Sequence, residues 1–448
     1  MQKNILQHTL ILLFIIFFIS PSKGLTAQSP HVSLTNLTQY YRVTVDLTDT
    51  STTRPAVWQE YGTLLKSSVP NMGALLDSLI HDACQGKNDI YTLFLLRTSQ
   101  IRPQVPEIYQ NDVNAIALGL VDTTTDTMGD GLLSTNELWL LNLLGDVARQ
   151  TQCSGFGVLP EAAASGKTTV VRNLDWDDGS TFQLSQLQAV TTITFPDNRK
   201  LTLIGYLGAM QCITGIVTIP LAGGSGNTGL FAAILDSETG QAYTSENKRS
   251  FPFDLLYGME TLDSLAALVT HLQSTSTQYS YGHLTLLADK DTVEVLENDL
   301  LPGGSHLRTV DSAPLYHTWS VPNTIGAVNC NMLPASFNNS NDAWDTKRWE
   351  SMQQLLNKAG PTISRDEMES IAGYGPGLGS DGYLYIINPQ SAVQTQQIIL
   401  FEPETFTTRI AFHPVGRSLS DHEHPVFQNF SILPQPYIPL SLFLEQGK

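Results

Sequence analysis

A cysteine at position 153 and an Arg-x-x-Asp element at 172–175 constrain this chain more than any other feature, because the stretch between them reads as a hairpin. Phe156-Gly157-Val158-Leu159 is apolar, Ser165-Gly166-Lys167 is turn chemistry, and Thr168 to Val171 is β-branched. Two paired strands of that length bring Arg172 and Asp175 back beside Cys153. A guanidinium next to a thiol favours the thiolate, which is the nucleophilic form. The pattern therefore asks for covalent catalysis with Cys153 as nucleophile. The competing reading is a small buried thiol followed by an unrelated surface turn at Arg172-Asn173-Leu174-Asp175.

These residues and their spacing resemble the linear-amide branch of the N-terminal-nucleophile (Ntn) hydrolases. That branch includes bile salt hydrolases, penicillin V acylases, acid ceramidase and N-acylethanolamine acid amidase. The resemblance extends over most of the chain. Tyr41 to Leu47 with Arg54, Pro55 and Trp58 looks like the start of the small subunit in acid ceramidase-like enzymes. Leu138 to Cys153 is similar to the helix that delivers the nucleophile there. Gly205-Tyr206-Leu207-Gly208, Thr214-Gly215, Gly229-Leu230-Phe231 and Leu284 to Glu297 resemble the strands that follow.

The resemblance implies an α+β fold, an αββα sandwich of stacked antiparallel sheets flanked by helices, with a mostly helical N-terminal segment. It implies that the chain cuts itself between Gln152 and Cys153, and that the mature enzyme is two chains without a cofactor. Arg172 would stabilise the thiolate, and Asp175 would orient the amine and the thiol. Val328-Asn329-Cys330-Asn331 resembles the strand end whose Asn helps form the oxyanion hole; that role falls on Asn331, with Asn329 as the alternative. Arg348, in Thr346-Lys347-Arg348-Trp349, matches the second catalytic Arg; its bland reading is a solvated helix-start Arg. Four departures bear on the leaving-group side. Asp236 stands where bile salt hydrolases carry Asn, Glu238 falls one residue late for the ceramidase pattern, Ile219 to Asn227 is an insertion, and Ser154 replaces Thr.

The implied activity is hydrolysis of fatty-acyl amides, of ceramide or N-acylethanolamine type, through a thioester on Cys153. Bile-acid or penicillin amides, and acyl transfer to another acceptor, are alternatives of the same chemistry. A secreted, non-catalytic binding protein is the alternative of another class. The implied partner is a lipid-like N-acyl amide, with transient contact to a membrane surface.

Charge excludes one partner class. The net charge of −18, from 42 acidic against 24 basic residues, leaves no basic patch to neutralise phosphates, so nucleic acid is not expected. Residues 1–27 read as a signal peptide: Lys3, an apolar run from Leu10 to Ile19, then Pro21, Gly24 and Ala27. The run is short for a membrane span. The expected destination is secreted or lumenal: periplasm, extracellular space, or a lysosome in a eukaryote. Sequons at Asn36, Asn338 and Asn429 would carry glycans in a eukaryotic host and mean nothing in a bacterium. Of four cysteines, a reactive Cys153 leaves three, so one disulfide and a spare thiol are expected among Cys84, Cys212 and Cys330.

The chain then divides into 1–27, a segment 28–152 that becomes a small subunit or propeptide, and a catalytic domain 153–448. Residues 41–152 read as one strand and several helices; beyond Cys153, strands dominate, at 188–195, 200–206, 229–235, 283–288, 293–297, 383–387 and 397–401. Asp126 to Glu137 fits much of a calcium-binding loop, yet Met128 occupies a ligand position. Ser134-Thr-Asn-Glu137 also fits a helix capping box, which explains the same residues without metal and is preferred. No metal is expected.

Overall fold

The computed structural model describes residues 26–148, 152–221, 223, 226–237, 241–375, 377–387, 393–414 and 425–431. Two β-sheets stack face to face with helices on both outer faces. The larger is ten-stranded, in the order β1 (Thr26–Gln28), β2 (Val32–Asn36), β3 (Tyr41–Asp46), β6 (Gln188–Thr194), β7 (Lys200–Tyr206), β8 (Thr214–Pro220), β9 (Asn227–Asp236), β10 (His283–Ala288), β11 (Val293–Asn298) and β12 (Ser305–Arg308). The smaller runs β13 (Thr324–Ala327), β4 (Gln152–Val158), β5 (Thr169–Asp177), β14 (Val393–Glu402), β15 (Thr407–Phe412) and β16 (Gln428–Ser431). Pairings are antiparallel except β3 with β6. Strands covered on both sides, such as His283–Ala288, are buried at every position, whereas Tyr41–Asp46 alternates.

Helices α8 (Phe251–Thr261) and α9 (Leu265–Ser274) lie together, α8 packing on β8 and β9; α10 (Ala343–Ala359) and α11 (Arg365–Ala372) cover β13 and β5. This is the layered α/β/β/α arrangement of an α+β sandwich. The segment before Cys153 adds α1 (Arg54–Ser68), α2 (Met72–Ala83), α3 (Asn88–Ile101), α4 (Glu107–Leu120), α5 (Thr135–Asn142) and α6 (Leu144–Val147). Within 41–152 β3 is the one strand ahead of β4; β1 and β2 precede it, and β3 joins them to the later half of the chain. A short α7 (Gln183–Gln186) follows β5.

Glycines let the layers meet where it matters. A Cβ at Gly157 would sit 2.4 Å from Val293 Cγ1, and one at Gly155 would sit 2.7 Å from Leu286 Cδ2. Only a residue without a side chain lets β4 lie this close to β10 and β11.

Several expectations are corrected. All four cysteines are buried free thiols, so the expected disulfide is absent. Tyr383 to Ile387 forms no strand; Ile386 and Ile387 make isolated bridges only. Of the insertion Ile219 to Asn227, Ile219 and Pro220 end β8 and Asn227 begins β9, with Pro220 opposite Asn227. The expected leader lies outside the described residues apart from Thr26 and Ala27, which begin β1, and Glu238 lies outside them too. No helix of the described residues is long and apolar enough to cross a membrane.

The Asp126–Glu137 loop is closed by its own side chains. Ser134 Oγ accepts from Glu137 N–H while the Glu137 carboxylate accepts from Ser134 N–H at 2.8 Å, a capping box at the start of α5. Asp126 accepts from Ser134 Oγ and Asn136 Nδ2, and Asp77 accepts from the backbone of Gly129 and Gly131 at 2.7 Å each.

Candidate active site

The β4–β5 hairpin forms in a register that pairs Gln152 with Asp175, Cys153 with Leu174, and Gly155 with Arg172. Cys153 is fully buried. Arg172 Nη2 donates to its sulfur at 3.4 Å and to Ile234 O of the facing sheet at 2.9 Å. Arg172 is itself fully buried, and its Nε and Nη1 have no partner among the described residues. Two N–H donors of a cation are thus held in the interior beside a thiol, where leaving them unpaired is costly. Burial pushes the Cys153 thiol above its ordinary pKa, and Arg172 pulls against that push.

Asp175 is fully buried and held on both oxygens. Thr395 Oγ1 donates to Oδ1 at 2.6 Å, and Arg348 Nη1 lies 3.2 Å from Oδ2. Burial raises its carboxyl to about 6 against the opposing pull of Arg348. Arg348 is therefore no solvated helix-start residue. It is fully buried, and its Nη2 also donates to Asn329 Oδ1 at 3.0 Å and to Asp345 Oδ1 at 2.5 Å. A buried ion network of this kind is weak evidence for stability, because desolvation cancels most of the attraction; its value is in fixing positions.

The two asparagines of the 328–331 segment part company. Asn329 Oδ1 accepts from the backbone N–H of Cys153 at 2.6 Å, and its Nδ2 donates to Asp236 O at 2.7 Å. Asn331, the first choice from sequence for an oxyanion donor, is turned away. Its Nδ2 donates to Phe337 O at 3.1 Å, and its Oδ1 accepts from Ser237 Oγ at 3.3 Å. The structure thus brings Cys153, Arg172, Asp175, Arg348 and Asn329 together and leaves Asn331 as a fastener of the loop behind them.

That loop has an anchor the sequence did not suggest. Glu297, buried at the end of β11, accepts from Met332 N–H, Leu333 N–H and Ser336 Oγ and pairs with Arg308 at 2.8 Å. Asp299 Oδ2 holds Phe337 N–H at 2.6 Å. Thr395 and Asp345 were missed as well. A threonine in a strand carries no signal, whereas an Asp three positions before Arg348 in a helix was a readable pair.

An apolar cleft lies alongside, between α2, α5, α6, α7 and the turn after β7. Leu76, Leu138, Leu144, Trp176 and Leu187 line it. Trp176 follows Asp175 directly, and Tyr206 in the wall lies within electrostatic reach of Arg172 and Cys153. Among the described residues no group of three or more His, Cys, Asp or Glu is arranged to hold a metal ion.

No protein-family model matches the sequence. No curated protein matches it either. Solved structures do. A Caenorhabditis elegans N-acylethanolamine-hydrolyzing acid amidase ortholog aligns at 12% identity and TM-score 0.39 over 56% of this chain and 93% of its own. Two variants of the conjugated bile acid hydrolase of Clostridium perfringens align at 10% and 9% identity, TM-scores 0.33 and 0.35, over 62% of this chain and 97% and 96% of theirs.

Proposed function

We propose that the protein is a self-activating cysteine amidase that cleaves the amide bond of fatty-acyl amides, of ceramide or N-acylethanolamine type. One observation carries this reading: buried polar side chains address both the sulfur and the nitrogen of the same cysteine. Arg172 lies on Sγ at 3.4 Å, and Asn329 holds the backbone N–H at 2.6 Å. A packing thiol needs neither. An N-terminal nucleophile needs both, because its own amine is the base and must be aimed at the sulfur.

In the uncut chain Sγ attacks the carbonyl of Gln152, the peptide nitrogen takes a proton and leaves, and water hydrolyses the resulting thioester. The new α-amino group, with a reference pKa near 8, takes the thiol proton in the next cycle. The acyl group passes from substrate nitrogen to sulfur, the proton goes to the departing amine, and a second water releases the acid. Arg172 supports the negative charge on sulfur and on the developing oxyanion; its unpartnered Nε and Nη1 are suited to this. Asn329 holds the amine, Asp175 orients it, and Arg348 fixes both.

The apolar cleft supports an aliphatic acyl group. Exposed Leu93 and Leu96 on α3 suit transient contact with a membrane surface. On this reading the leader directs the chain to a secreted or lumenal space, and the mature enzyme is two chains, 28–152 and 153–448.

The test is mass spectrometry of the purified chain after acidic incubation, followed by exposure to a mixed pool of N-acyl amides. The expected result is a fragment beginning at Cys153 and loss of fatty-acyl amides. Cys153→Ala is expected to abolish both; activity surviving in that variant overturns the reading, and a wild-type Cys153 inert to acylating thiol probes points instead to a binding protein.

A further inference from the structure

Asp175 has two carboxylate oxygens, and a different side chain holds each. Arg348 lies on Oδ2, and the Thr395 hydroxyl donates to Oδ1 at 2.6 Å, the one partner of that oxygen among the described residues. The direction of the Thr395 bond is fixed by a third group. Thr395 Oγ1 accepts the backbone N–H of Ile386 at 2.8 Å, and the Thr395 N–H returns to Ile386 O at 2.9 Å. A hydroxyl carries one hydrogen. With an amide on its lone pair, that hydrogen goes to Asp175.

The strand is shaped to bring this about. The register of β14 on β5 shifts between Thr395, which stands opposite Asp175, and Gln397, which stands opposite Leu174. An unbroken register counted from Gln397 would set Gln396 against Asp175; the extra residue sets Thr395 there instead.

Arg348 by itself does not decide the charge on Asp175. Its guanidinium is shared with Asp345, so two buried carboxyls face one cation. Burial raises the Asp175 carboxyl to about 6 even with both donors in place. An oxygen left without its donor would favour the protonated form. A protonated Asp175 would offer its O–H to the new α-amino group and occupy the lone pair that must take the thiol proton.

We infer that Thr395 is a positioning residue: its hydroxyl pins one oxygen of Asp175, so that this side chain meets the α-amino group of Cys153 as an acceptor. The inference rests on the amidase reading above and assigns a residue to it.

The experiment measures kcat/KM against pH for the self-cleaved wild-type protein and its Thr395 variants, on N-palmitoylethanolamine and N-palmitoylsphingosine. Activity is expected to rise with pH as Asp175 ionises, and losing a donor to the ionised form moves that limb upward. In Thr395→Val the limb is expected about one pH unit higher, with kcat/KM about tenfold lower along it and within about threefold of wild type above it. Thr395→Ser keeps the hydroxyl and is expected to restore the wild-type limb. Thr395→Val also strands the Ile386 N–H, but a purely structural loss lowers the rate at every pH and leaves the limb in place. That result overturns this inference alone, as does Thr395→Ser behaving like Thr395→Val. Should Thr395→Val not fold, Thr395→Ala carries the same expectation. Should neither fold, the wild-type profile decides: a limb at about 6 agrees with a pinned carboxylate, and one above about pH 7 overturns the inference. Turnover of neither amide by the wild-type protein overturns the amidase reading and this inference with it.

Discussion

Asn329 and Asn331 are two positions apart and do different work. Asn329 touches the Cys153 N–H, Arg348 and the end of β9, while Asn331 ties its loop to Ser237 and Phe337. On the proposed mechanism Asn329→Ala removes a group aimed at the nucleophile, and kcat is expected to fall by about 10² or more, the scale seen for single preorganised polar groups. Asn331→Ala leaves the Cys153 contacts intact and opens a buried loop. It is expected to lower stability by about 1–3 kcal/mol with a smaller loss of kcat. Steady-state kinetics and urea unfolding on the two variants separate the roles; the reverse order would place the oxyanion donor back on Asn331.

Among the elements, the β4–β5 hairpin and the start of α5 were the most readable, since both are local. Turn residues at 165–167 and β-branched residues at 168–171 set the hairpin, and its register places Arg172 and Asp175 without help from elsewhere. The capping box at Ser134 and Glu137 closes a loop that also looked like a calcium site, and Asp77 of α2 accepts from the backbone N–H groups of Gly129 and Gly131 in it. Ser134→Ala is expected to cost about 1 kcal/mol, measured by chemical denaturation, with the same cost in calcium as in chelator. Calcium-dependent stabilisation of the wild-type protein would return the loop to the metal reading. Elements such as β13, β15 and α11 were not read in advance, because each is short, and β13 pairs with β4, far from it in sequence.

At the scale of the whole molecule, buried carboxyls make folding depend on pH. Burial raises Asp146, whose carboxyl accepts from Ser250 Oγ, to about 8, and Asp178 to about 7. Their unfolded values are near 3.9. A raised carboxyl binds more protons in the folded than in the unfolded chain, so its contribution is full below the unfolded pKa and is lost as pH rises to the folded one. His413, lowered to about 4 by burial, acts in the opposite sense, but only up to its unfolded value near 6.5. Between pH 6.5 and 8 the carboxyls therefore dominate, and the melting temperature is expected to drop by roughly 2 °C across that window. Scanning calorimetry at the two pH values checks this; a rise would mean that the two carboxyls are ionised in the fold.

The cysteine, its arginine and its aspartate were legible because one hairpin carries all three, and pairing between strands that follow one another in the chain is encoded locally. Arg348 could be named from Thr346-Lys347-Arg348-Trp349, but not its burial or its hold on both Asp175 and Asn329, which come from a helix packed 173 positions beyond the aspartate. Asn329 rather than Asn331 at Cys153 is a matter of how a loop is clamped by Glu297 and Asp299 from the end of β11. Residues two apart in an irregular segment have no fixed facing, so no spacing rule could choose between them. The same holds for the cleft, whose leucines come from four separate helices and the turn after β7 and meet only when the layers close.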